Sequence, residues 1–89
     1  MSEIEITIVN RLGLHARAAA KFVHLASTFS CRVTVSRDGT RVDGKSILGL
    51  LTLAASKGTK LHVTLQGDDE AEAASKLSDL VRSRFGEDS

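Results

Sequence analysis

Four short stretches of this chain alternate polar and apolar residues one for one. Glu3-Ile4-Glu5-Ile6-Thr7-Ile8 is the longest, and the pattern returns at Cys31-Arg32-Val33-Thr34-Val35, briefly around Val42, and at Leu61-His62-Val63-Thr64-Leu65. Successive side chains of a strand point to opposite faces, so a period of two predicts four strands, each with a single dry face. In the first, that face is Ile4, Ile6 and Ile8. A sheet built this way needs cover on one side only and can leave the other to water. Arg37-Asp38-Gly39-Thr40 joins the second and third stretches. Asp-Gly tolerates the positive φ angles that both centres of a type I′ turn demand, so a tight hairpin is expected there.

The cover must be helical. Between the first two strands Arg17, Lys21, His24 and Thr28 recur at helical spacing, with alanines, Phe22, Val23 and Leu25 filling the rest. This spacing predicts a helix of about three turns. Ser46 is placed to cap a second helix over Ile47-Leu48-Gly49-Leu50-Leu51, which ends by Lys57-Gly58. Asp69, with Glu72 three positions on, has a capping-box pattern and opens a third helix whose stripe is Ala74, Leu77, Val81 and Phe85. Gly86 to Ser89 are expected to fray. The order is β-α-β-β-α-β-α, and the expected class is an α/β (α+β) open-faced sandwich, a four-stranded, mainly antiparallel sheet covered on one face by three helices. At 89 residues, with 42% hydrophobic residues and no proline, tryptophan or tyrosine, residues 1–89 are expected to form a single domain around one aliphatic core.

Composition narrows the function classes. One cysteine, Cys31, cannot staple the fold and fits a reducing compartment, no apolar run approaches a membrane span, and the N-terminus opens with acids. A cytoplasmic protein without membrane contact is expected, with Cys31 as a buried small hydrophobe. His24, His62 and Cys31 share no ligand spacing, so neither metal nor cofactor is expected. Charge is segregated. Residues 10–60 carry nine bases against Asp38 and Asp43, a balance of +7, whereas residues 61–89 carry three bases against seven acids, a balance of −4. Such a basic block meets acidic partners or anionic groups. Nucleic acid is a poor fit, because the wet strand face offers Glu3, Glu5 and Thr7 and no aromatic ring on which a base could stack.

The chemistry concentrates where the first helix begins. Its first turn exposes backbone N–H groups and the positive end of the helix dipole, where an acid would be favourable. The sequence places His15 at the cap instead, with Arg11 before it, Arg17 two residues after and Lys21 one turn on. Cations stacked on a positive helix end are tolerable when an anion shares the site, and phosphate suits bare N–H groups beside a guanidinium. An imidazole in this place is disfavoured as a cation, which leaves it a lone pair with which to attack phosphorus. A simple helix cap beside a solvated arginine is the bland alternative.

Asn10-Arg11-Leu12-Gly13-Leu14-His15-Ala16-Arg17 closely resembles the active-site signature of HPr, the histidine-containing phosphocarrier family of the bacterial phosphotransferase system. Gly44-Lys45-Ser46-Ile47-Leu48-Gly49 resembles that family's regulatory serine segment, at the right distance from the first motif. The resemblance covers nearly the whole chain. It implies a carrier, not an enzyme in its own right, that accepts a phosphoryl group from phospho-enzyme I on Nδ1 of His15 and passes it to a histidine of an enzyme IIA component. Arg17 balances the phosphate charge, and Ala16 and Arg17 form the phosphate-binding helix end. It also implies a regulatory phosphorylation at Ser46 by an HPr kinase/phosphorylase. A docking patch of Leu48 and Leu51, with Ile47, Leu14 and Ala20, ringed by Arg17, Lys21 and Lys45, follows from it, as does a monomeric state. Ala18 stands where the family usually has proline, which leaves open whether the sugar or the nitrogen-related branch is meant. The alternative is a regulatory interaction protein of the same family, acting on a transcription factor or enzyme without a transport role.

Overall fold

The computed structural model describes all 89 residues. In chain order the elements are β1 (Ser2–Thr7), α1 (Ala16–Ala26), β2 (Arg32–Arg37), β3 (Thr40–Asp43), α2 (Ile47–Thr52), β4 (Lys60–Gln66) and α3 (Glu70–Arg82), followed by a 3₁₀ turn (Arg84–Gly86). The four strands form one sheet in the order β1-β4-β2-β3, with every neighbouring pair antiparallel. The register sets Ile4 opposite Val63 and Ile6 opposite Leu61, while Val35 pairs with Val63 from the other side. Alternate residues therefore fall on one dry face. Asp38 and Gly39 both have positive φ, 50° and 86°, and turn the β2–β3 hairpin as the Asp-Gly pair requires.

The three helices cover this dry face, and one core results. From α1 it takes Ala18, Ala19, Phe22 and Ala26, from α2 Leu50, and from α3 Ala73, Ala74, Leu77 and Val81. Burying one ring such as Phe22 stabilises the fold by about 1.5–3 kcal/mol, and the surrounding alanines allow α1 to pack closely against α2 and α3. Cys31 is buried with them, and burial pushes its thiol pKa up. Opposite lies the wet face, where His62 Nε2 is 3.3 Å from Glu3 Oε1.

Three expectations need correction. The second helix stops at Thr52, short of Lys57-Gly58, because Ala54 takes a φ of +49° and sends the chain back toward the loop after β1. Asp69 does not close a capping box with Glu72. It accepts from the backbone N–H groups of Ser30 (2.7 Å) and Cys31 (2.9 Å), the two residues leading into β2, while Glu70 accepts from Gly67 N–H. The tail is not frayed as far as Glu87. Phe85, outside α3 with a φ of 55°, is fully buried, and Lys21 Nζ donates to its carbonyl at 2.6 Å.

Candidate functional site

The loop between β1 and α1 is pinned before the helix starts. Asn10 is buried and donates from Nδ2 to the Gly13 carbonyl at 2.8 Å, while Leu14 N–H donates to the Ala55 carbonyl at 2.8 Å. Gly13 allows this with a φ of +72° and a backbone pressed against Ala55 and Ser56. Leu14 turns inward and is 7% exposed. It anchors the loop to the core, which removes it from the expected docking patch.

His15 follows as the N-cap of α1, in an extended conformation, and its carbonyl receives the first helical bond from Ala19 N–H at 2.8 Å. Its side chain does not cap the helix, and no acid lies in the first turn. The N–H groups of Ala16, Arg17 and Ala18 precede any i−4 carbonyl of the helix and have no acceptor within the chain. These donors, the exposed guanidinium of Arg17 and the imidazole of His15 therefore lie at one helix end, where dipole and charge both favour an anion. His15 and Arg17 line one shallow depression at this helix end.

One residue that the sequence did not single out completes it. Glu87 reaches back from the tail, with Oε2 2.5 Å from His15 Nε2 and Oε1 accepting from Asn10 Nδ2 at 3.0 Å. The hydrogen bond from Asn10, and then that from His15, holds the Glu87 carboxyl below the usual carboxylate range. Arg11, Arg17 and His15 line a shallow depression together with Glu87, Asp88 and Ser89. The available signal was Phe85-Gly86, a lone aromatic followed by a glycine at a chain end, which buries the tail and turns it.

The second motif opens α2. Ser46 accepts from Gly49 N–H through Oγ at 3.0 Å, so it caps the helix as expected. Leu50 goes to the core, Leu51 and Ala20 are partly exposed, and Ile47 and Leu48 are 38% and 78% exposed. Lys45 Nζ donates to the Phe29 carbonyl and Lys21 Nζ to that of Phe85, so both amines of the expected basic ring also hold the fold. His24 is exposed on α1, away from any cluster of metal-ligating side chains.

Both motifs lie within residues 2–83, which match the family model described as the PTS HPr component phosphorylation site. The chain belongs to the HPr family, the phosphocarriers of the bacterial phosphotransferase system. It is 52% identical over 88 residues to phosphocarrier protein HPr of Pseudomonas aeruginosa, covering 98% of each chain. To HPr of Neisseria meningitidis it is 51% identical over 87 residues, again covering 98% of each. Among solved structures, HPr-C-His from Thermoanaerobacter tengcongensis superposes with a TM-score of 0.96 at 46% identity, over the whole of both chains. The catabolite repression protein Crh of Bacillus subtilis, solved as a swapped dimer, matches with a TM-score of 0.75 at 40% identity, covering 94% of this chain and 97% of that one.

Proposed function

We propose that this HPr-family chain carries a phosphoryl group on Nδ1 of His15, taking it from phospho-enzyme I and delivering it to a histidine of an enzyme IIA component. The observation that carries this reading is the open N-terminus of α1, where unpaired N–H groups, the Arg17 guanidinium and an imidazole meet. In the step itself the Nδ1 lone pair attacks phosphorus, the bond from phosphorus to the donor breaks, and its electron pair returns to the donor. Ala16 and Arg17 N–H and the Arg17 side chain balance the charge of the equatorial oxygens. Binding through an exposed guanidinium and a solvent-facing helix end keeps the group transferable, since a carrier that held its phosphate tightly would raise the barrier to giving it up. The carrier has no turnover of its own and works in the cytoplasm; no helix is long and apolar enough to cross a membrane.

Leu48, Ile47, Leu51 and Ala20, with Arg17 and the two lysines, form the docking surface for both partners, an apolar centre with a basic rim that fits an acidic, apolar-lined groove. Ser46 is the control point. A phosphate there, added by an HPr kinase/phosphorylase, suits the helix N-terminus but sets a negative charge next to Leu48. Incubation with enzyme I and phosphoenolpyruvate tests the reading. Acid-labile, base-stable phosphate on His15 is expected, and phosphate on His24 or His62, or none at all, overturns it.

A further inference from the structure

The tail of the chain holds the imidazole. Glu87 is the sole side chain hydrogen-bonded to His15, and the contact is to Nε2 (2.5 Å), the ring nitrogen opposite the one proposed to react. Its other oxygen is taken by Asn10 Nδ2, whose amide is fully buried and also ties down the Gly13 carbonyl. Asn10 Oδ1 has no partner at all, so this buried amide is aimed by its two donor bonds alone. A carboxylate can only accept, so the hydrogen in the His15–Glu87 contact belongs to Nε2. In a neutral imidazole the lone pair is then on Nδ1.

We infer that Glu87 is a positioning residue for His15, fixing the Nε2–H tautomer and ring orientation that present Nδ1 as the nucleophile, with Asn10 holding Glu87 in place. The inference rests on the proposed phosphoryl transfer for its purpose, but the tautomer exists without it. When Nδ1 bonds phosphorus, the ring takes on positive charge and keeps its Nε2 hydrogen, and the carboxylate then stabilises that charge. The same contact serves the reverse step. A ring protonated at Nε2 is the better leaving group when phosphorus moves to the next acceptor, because the electron pair of the breaking bond returns to a cationic ring. Glu87 therefore acts through the imidazole and needs no contact with the phosphoryl group.

Long-range ¹H–¹⁵N spectra of the His15 ring, at a pH where it is neutral, test this in the full-length chain. The wild type and Glu87→Gln, whose amide oxygen still accepts, should show one tautomer with hydrogen on Nε2. Glu87→Ala should show a mixture of both. Asp88→Asn, which removes a tail charge without touching the ring, should match the wild type, and thermal melts should confirm that every variant is folded. Losing a hydrogen bond to a charged group should also slow phosphoryl acceptance from enzyme I on the order of tenfold in Glu87→Ala. Identical ring spectra for wild type and Glu87→Ala overturn the inference, even if transfer slows, because the tail would then act on docking or folding. A wild-type chain that shows the single tautomer but takes no phosphate on His15 instead overturns the proposed function and leaves the tautomer assignment standing.

Discussion

A Cβ placed on Gly13 would stand 2.7 Å from the carbonyl oxygen of Ala55. That carbonyl receives the N–H of Leu14 and so sets the last loop residue before His15. Gly13→Ala would meet both this clash and a φ of +72°, at a cost of about 1–3 kcal/mol. The melting temperature should fall by several degrees, and phosphate acceptance should slow because the helix cap is displaced. A melt that superposes on the wild type would show that the loop yields without strain.

His15→Ala should leave a folded chain, since the imidazole makes no capping bond, and should abolish phosphate uptake from enzyme I. His24→Ala and His62→Ala should retain it. Arg17→Glu places a negative charge beside an incoming dianion and should slow transfer severely; rapid-quench kinetics unchanged from wild type would remove Arg17 from the mechanism.

Ser46→Asp separates a cap from a switch. Aspartate caps as well as serine and its charge suits the start of α2, so the melting temperature should be unchanged or higher. Docking should suffer, because an anion next to Leu48 would face the acidic surface proposed for enzyme I, and like charges at an interface cost on the order of 1 kcal/mol or more. A lower rate of His15 phosphorylation is expected, and equal rates would reduce Ser46 to its structural role.

Asp69 links the start of α3 to the entry of β2, and the N–H group of Ser30 is the main cause that holds its carboxyl below the usual range. A carboxylate whose folded-state pKa is depressed stabilises the fold fully above its unfolded value, about 3.9, and loses that contribution as pH falls through the folded value. Asp69→Asn should therefore melt lower than wild type at pH 7, with the gap narrowing below about pH 4. A gap independent of pH would mean that the charge of Asp69 contributes nothing.

How far these features could be read from residues alone depended on sequence distance. The strands were legible because their faces differ so sharply, and the hairpin because Asp38-Gly39 carries its own backbone requirement. His15, Arg17 and Ser46 were legible because they break or satisfy rules of a single helix turn. The stop of α2 at Thr52 was not, since Ala54 has no local reason to adopt a positive φ and does so where the chain turns back to Gly13 and Leu14. Asp69 followed local capping logic on paper but found stronger donors in Ser30 and Cys31, 39 and 38 residues away. Glu87 gave least warning, for its partners His15 and Asn10 lie at the other end of the chain.

The 72 residues that separate His15 from Glu87 also bear on synthesis. A nascent chain displays the imidazole early, together with its arginine and the start of the first helix. The ring lacks its carboxylate until Glu87 has been added and released. The complete arrangement thus forms only once Glu87 has been made, and a chain cut short of Glu87 would emerge with its histidine unsupported.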